Sequence, residues 1–378
     1  MNVIKIVAGD IEVDVPIPWA VYDEADCMLL KAGFIFKSQK KISEVIEHGV
    51  YRDRDALEPV KVVSRTDNEV TGISSPFILV NEYADRLGDI LENIEEGERK
   101  TRERVIKLAE NIMWLCDRDM EAIMAIIHLP ASHKKYCLYH AIHVAMLSSV
   151  LAMRMNIHDG NRLSMICASL TANIGMRNFQ KILQRQSVAL TLEQRNSINE
   201  HPLISACILR KAGIDDEFWL KIVEQHHEQI DGGGYPRGLK GKEVITEASI
   251  ISIVDVYTAM MSKRAGRARI NVQDALREFF VEKGGAYSEV LSLYLIKELG
   301  IYPPGTFVHL ANGEIAIVVK RLLGKSNTPI VKSVVGADGS VYSVPLRRDT
   351  SVKQFQIMES IFFDRDTPLN YEQIWGYA

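Results

Sequence analysis

The pattern of this 378-residue chain predicts a mainly α protein: a helical bundle flanked by a small N-terminal β-rich module and a small C-terminal antiparallel β-subdomain. Three observations carry that expectation. Residues 1–70 alternate short extended runs, VIKIVAG and CMLLKAGFIF among them, with turn signals; residues 80–300 repeat apolar side chains at helical spacing; and the residues after 301 hold two hairpin signals.

Taken in order, SQKKISEVIEHG inside the first module places Ser38 as an N-cap and Gly49 at a helix end, which predicts one helix there. The polar stretch RTDNEVTGISSP at 65–76 reads as a linker, so the first module is expected over 1–70, with linker and connector helix over 71–118. In that connector Leu87, Ile90, Leu91 and Ile94 form one helix face, and Val105, Leu108, Ile112 and Leu115 repeat it. A connector packed on the next domain and a dimerising coiled coil both fit this spacing; the heptads are too few to favour the second, and a homodimer stays open. The main helical domain is expected over 119–300. Beyond YPPG at 302–305, FVHLANGEIAIVV has an Asn-Gly turn between apolar runs and VGADGSVYSV has an Asp-Gly turn, which predicts a β-subdomain over 301–378.

The 47% hydrophobic and 25% charged fractions are those of an ordinary globular protein, and a net charge of −4 argues against a nucleic-acid-binding surface over the whole molecule. No uninterrupted apolar run reaches the ~20 residues of a membrane-spanning helix. Acidic residues interrupt MNVIKIVAGDIEVDV where a signal peptide is continuously apolar. A cytoplasmic location is expected, with neither nucleic acid nor membrane as partner. Cys27, Cys116, Cys137, Cys167 and Cys207 lack C-x-x-C spacing and fit reduced thiols used for packing.

One set of residues suggests chemistry. His140 in LYHAIHV, His201 in NEHPLISA, His226 and His227 in VEQHHE, and Asp255 in IVDVYTAM are the residue types that hold metal ions, spread over several expected helices. Two adjacent metal ions overcome the resistance of a phosphodiester by ionising a water and neutralising developing charge. The paired His226-His227 runs directly into the Gly-rich stretch DGGGYP, and adjacent imidazoles have no obvious packing use.

The run HHEQIDGGGYPRGLKG, Asp231 to Pro236 included, resembles the signature of the HD-GYP domains, a bacterial branch of the HD phosphohydrolase superfamily. His201-Pro202, the segment VDVYTAMMSKRAGR and the leading His140 extend the likeness over roughly 119–300. The resemblance implies a helical HD-domain bundle, hydrolysis of cyclic di-GMP, and two or three metal ions such as iron or manganese. It also implies that Tyr235, Arg264 and Arg267 lie near the phosphates or bases of a nucleotide, and that the loop of Asp231, Gly232, Gly234, Tyr235 and Pro236 docks on diguanylate cyclase (GGDEF) domains. A solvated basic turn is the plainer reading of Arg264 and Arg267. Gly232, Gly233 and Gly234 also supply the backbone freedom of a sharp turn.

Where the family reads L-L-H-D-I-G-K this chain has SLTANIGM, so the naming His-Asp pair is replaced by Ala172 and Asn173, and the lysine by Met176. Tyr136 stands where some members carry a carboxylate. A carboxylate gives one oxygen to each of two cations, whereas a neutral carboxamide bridges poorly and a methyl group not at all. The expectation is therefore no metal, or one residual transition metal (iron, manganese or zinc) on His201, His226 and His227, with His140 and Asp255 deprived of their partners. The function expected is a catalytically impaired HD-GYP homologue that binds cyclic di-GMP or a partner protein. Two alternatives stand beside it: an active cyclic di-GMP phosphodiesterase or other phosphohydrolase with an altered metal site, and an adaptor whose flanking β-modules do the binding.

Overall fold

The computed structural model describes residues 74–377 apart from 96–99, 130–134, 178, 181–185, 187, 263–269, 283–284, 323–324 and 364–368, together with short pieces of 3–53. The chain divides into two compact units, Met1–Ile73 and Ser74–Ala378.

In the first unit β1 (Val3–Lys5), β2 (Val21–Tyr22), β3 (Met28–Leu30) and β4 (Tyr51–Asp53) form an antiparallel sheet in the order β1-β4-β2-β3. Helix α1 (Gln39–Glu47) begins just after Ser38. Ile6, Ile11, Ile17, Val21, Phe36 and Ile42 make its small core.

The second unit is built on helices α2 (Pro76–Glu95), α3 (Thr101–Arg118), α4 (Met120–His128), α5 (Tyr136–Arg154) and α6 (Asp159–Thr171). Helices α7 (Leu192–Lys211), α8 (Glu217–Gln225), α9 (Thr246–Met260), α10 (Val272–Glu282) and α11 (Glu289–Leu299) complete the bundle. The two connector helices α2 and α3 bury Leu87, Ile90, Ile94, Val105, Leu108, Ile112 and Leu115 in the same core as the later helices. Helix α5 is long and apolar enough by composition to cross a membrane, but 78% of its apolar window is buried inside the bundle. Its apolarity is used by the core. Cys116 and Cys167 are buried there as small apolar groups, and burial pushes the Cys116 thiol up to about 12.

Two local devices set the walls of the site. Trp219 is 1% exposed and its indole N–H donates to Thr171 Oγ1 at 3.0 Å, joining α8 to the end of α6. Helix α7 starts at a capping box in which Thr191 Oγ1 accepts from the Gln194 N–H and Gln194 Oε1 accepts from the Thr191 N–H.

The C-terminal part is a five-stranded antiparallel sheet: β5 (Phe307–Leu310), β6 (Ile315–Leu322), β7 (Lys325–Val335), β8 (Val341–Asp349) and β9 (Ile357–Ile361), in the order β8-β7-β6-β5-β9. Gly313 (φ 85°) and Gly339 (φ 83°) take the left-handed conformation in the two turns that Asn-Gly and Asp-Gly foretell. One sheet face packs Phe307, Ile317 and Val335 with Leu129 and with Ile374 of α12 (Tyr371–Trp375). Arg321 of β6 ties the sheet to the bundle, its guanidinium donating to Glu121 Oε1 at 2.9 Å and to the carbonyl and carboxylate of Glu298.

Beside β6, Glu314 is 5% exposed and accepts from Arg348 Nε and Nη2, from Ser333 Oγ and from Tyr342 OH. The Arg348 guanidinium, with the Ser333, Asn312 and Tyr342 bonds, holds its carboxyl at about 2 against burial, below an ordinary value of 4.5. A carboxyl depressed in the folded state stabilises above its unfolded value and loses that contribution as pH falls through its folded one. Urea unfolding between pH 4.5 and pH 2 is therefore expected to show an acid loss of stability that is flatter in Glu314→Gln, whose side chain does not titrate.

Candidate metal centre

His201 lies in the middle of α7, followed by Pro202 inside the helix. A helical residue 202 would donate its N–H to the carbonyl of residue 198, four back, and proline has no N–H. The Ile198 carbonyl thus left over accepts a hydrogen bond from His201 Nδ1 at 2.5 Å. His226 reaches the same state by another route. Helix α8 ends at Gln225, so its last carbonyls have no intrahelical partner, and that of Val223 accepts from His226 Nδ1 at 2.6 Å.

A carbonyl only accepts, so each Nδ1 carries the proton and each Nε2 of a neutral ring is left with a lone pair. The two Nε2 atoms lie 3.2 Å apart. Protonation does not readily relieve that opposition: burial, then the neighbouring His226, pushes His201 down to about 3, and burial also lowers His226. His227 completes the group. It is held well below its ordinary value by burial and by His226, and the three rings offer ligand atoms within 4.8 Å of one another. Lone pairs facing each other across a few ångströms, with protons kept off by burial, suit a divalent cation, and three imidazoles with one open position are a common transition-metal set.

The other two expected ligands are brought close to each other. His140 Nε2 and Asp255 Oδ1 are 2.8 Å apart, and His140 is stacked on the Tyr136 ring, centroids 5.5 Å apart at 13°. Burial pushes the Asp255 carboxyl up, but the charge and hydrogen bond of His140, with His227 and His226 beyond, outweigh it and hold the group below the usual carboxylate range. The turn carrying Ala172 and Asn173 is pinned beside His201. Ser205 Oγ donates to the Ala172 carbonyl at 2.6 Å and accepts from the Gly175 N–H at 2.9 Å. A Cβ on Gly175 would lie 2.7 Å from the His201 carbonyl, so only glycine permits this approach. Ala172 is 2% exposed, Asn173 borders a separate cavity, and Met176 ends the short 3₁₀ turn Ile174–Met176.

The Gly-rich loop folds back over the cluster. Tyr235 N–H donates to the His227 carbonyl at 3.1 Å and its ring stacks on His227 at 4.7 Å. Burial, then Asp255, raises the Tyr235 phenol. Gly234 is required, since a Cβ there would come within 2.3 Å of the Gln229 amide nitrogen. Gly232 has φ 86°, Asp231 accepts from the Gly233 N–H at 2.8 Å, and Tyr235-Pro236 is a cis peptide. Arg264 and Arg267 lie outside the described residues.

Two contributors are not evident from residue type. Glu228, 1% exposed, accepts from the Arg237 N–H at 2.7 Å and the Leu239 N–H at 2.9 Å, and so fastens the far side of the loop. Pro202 acts by lacking a donor. The letters HHE and HP carried both signals, but neither role shows until the chain is folded.

In Pro202→Ala a new N–H competes for the Ile198 carbonyl, so the helix gains a bond and His201 loses the anchor of its tautomer. Zinc affinity is expected to fall about tenfold or more, the usual effect of removing a ligand's hydrogen-bond partner. Thermal stability is expected to stay level or rise, because proline inside a helix is costly. Competition with a chromophoric chelator, beside a melting curve, reads both.

An HD domain family model matches residues 122–287. A cyclic di-GMP phosphodiesterase of Pseudomonas aeruginosa is 27% identical over 224 residues, 59% of this chain and 54% of that protein. The cyclic di-GMP phosphodiesterase PdeB of Borreliella burgdorferi is 22% identical over 60% of this chain and 61% of its own length. The chain thus spans between half and two thirds of the length of these relatives. A solved structure, Bd1817, a HDG"Y"P protein from Bdellovibrio bacteriovorus, shares the fold with a TM-score of 0.53 at 18% identity, over 79% of this chain and 99% of that one. With the HHE and GYP stretches folded onto one histidine cluster, the chain carries an HD domain over residues 122–287 and is similar to cyclic di-GMP phosphodiesterases.

Proposed function

We propose that this protein is a catalytically impaired HD-GYP homologue acting in bacterial cyclic di-GMP signalling as a nucleotide-binding or protein-interaction protein, with one divalent transition metal on His201, His226 and His227. One observation carries the reading. Among the described residues the ligand atoms close on three histidines, while His140 and Asp255 are hydrogen-bonded to each other and the turn beside them offers Ala172 and Asn173. A metal bound there supplies a Lewis acid and a more acidic water. This chain lacks a carboxylate at 172–173 that bridges to a second ion.

What the residues present do is position and bind. Tyr235 presents an aromatic ring beside the cluster, suited to stacking on a base. Backbone contacts and Glu228 hold the loop, and the resemblance to HD-GYP domains makes a diguanylate cyclase domain its proposed partner. The curated relatives include cyclic di-GMP phosphodiesterases and a 3'3'-cGAMP-specific phosphodiesterase of Vibrio cholerae, which supports a cyclic dinucleotide as the ligand class. The reading places the protein in the cytoplasm, where that messenger is found.

Elemental analysis of the purified chain is expected to give one equivalent of metal or less, and His226→Ala to remove it. Calorimetric titration is expected to show cyclic di-GMP binding, with no pGpG or GMP formed on prolonged incubation. Ala172→His with Asn173→Asp returns an imidazole and a carboxylate and is expected to raise metal content. Two tightly held ions with rapid cleavage of cyclic di-GMP in the unmodified chain would make it an active phosphodiesterase instead.

A further inference from the structure

A cavity of about 200 Å³ lies between α2, the start of α5 and the turn after α6. None of His140, His201, His226, His227 or Asp255 lines it. The cavity adjoins His140 through the Tyr136 ring, which stands on its wall. We propose that this cavity binds a single purine nucleotide, the base between its apolar walls and the phosphate at its basic rim.

Part of the wall is apolar. Leu170 and Ile174, 2% and 3% exposed, face the space with Tyr136, and Gly88 of α2 leaves room that any side chain would fill. Such a slot suits a planar ring. Its polar lining comprises two carboxamides, the cations Lys135 and Arg177, and the Glu92 carboxylate. Asn173 and Gln180 both line the cavity, and neither makes a side-chain hydrogen bond to another described residue. A carboxamide presents a donor and an acceptor side by side, a pair that matches adjacent acceptor and donor groups on a base edge, and the preference for a purine rests on the larger apolar face of its two rings. At the rim stand Lys135, paired with the exposed Asp85, and Arg177, paired at 2.8 Å with Glu92 of the same lining, and a phosphate there competes with these two carboxylates for the cations. The volume is below the roughly 300 Å³ at which drug-sized pockets begin, which suits one base and excludes a whole cyclic dinucleotide.

This inference rests on the preceding reading only for the nucleotide class of the ligand. Gly88 gives a selective test. A Cβ there meets only the flexible end of Leu138, at 3.2 Å, which must give by a few tenths of an ångström, and leucine is a better helix former than glycine, so Gly88→Leu fills the cavity with a melting curve as the check on folding. Calorimetry on the full chain with GMP, AMP, CMP and cyclic di-GMP is expected to show both purine mononucleotides bound and CMP about tenfold weaker or worse. Gly88→Leu is expected to lose GMP and AMP binding with an unchanged or raised melting temperature, and the double variant Asn173→Ala, Gln180→Ala to weaken both several-fold. Wild-type affinity for GMP in Gly88→Leu, equal affinity for CMP, or no mononucleotide binding overturns the inference. Cyclic di-GMP bound without GMP or AMP defeats it and leaves the signalling reading standing. GMP bound in a Gly88→Leu-sensitive manner with no cyclic di-GMP binding does the reverse.

Discussion

Two imidazole lone pairs held 3.2 Å apart are the constraint on which the site depends. Each ring is turned that way by a backbone carbonyl released from a helix ladder, one by Pro202 and the other by the end of α8. An isolated pair of rings would relieve the opposition by rotating, by taking up water or by protonation. Here the Nδ1 anchors resist rotation, and burial disfavours the proton. The arrangement is preorganised for a cation, and its cost is met by the fold, through a capped α7 and the Trp219–Thr171 bond that set the helices around it.

The same reasoning applied to His140 and Asp255 gives the opposite outcome. A carboxylate with an imidazole 2.8 Å away and an aromatic ring stacked behind that imidazole is already satisfied. Drawing it onto a metal means breaking a buried charged hydrogen bond, and such bonds are worth about 1.5–3 kcal/mol. In a two-metal site a neighbouring bridging carboxylate holds the second ion and repays that loss. Ala172 and Asn173 offer no such oxygen pair, and on the reading proposed above the His140–Asp255 bond is kept.

Much of this was legible in the residues. The helical spacing of 80–300, the Asn-Gly and Asp-Gly turns and the clustering of His226 and His227 before the Gly-rich run each reflect a local rule, and local rules survive folding. Long-range pairings were not legible. That Asp255 bonds His140, that Ser205 pins the turn carrying Ala172, and that Glu228 reaches the amides of residues 237 and 239 depend on helices 30 or more residues apart, or on a loop doubling back. The cavity was invisible for a further reason. Gly88 in α2 reads from sequence as a weak point in a helix, and only the folded chain shows that its missing side chain is space facing Asn173.

The loop and the cluster are joined in one direction only. Tyr235 leans on His227, but the loop's own bonds run to the backbone and to Glu228, Gly234 is demanded by the backbone of residues 228 and 229, and Gly232 by its left-handed conformation. Loss of a metal therefore removes nothing that holds the loop in shape. A contact surface made this way does not depend on the chemistry beside it, and substitutions at 172 and 173 touch none of the loop's bonds. That independence gives a physical reason why a complete GYP stretch and an altered dyad position stand in the same chain.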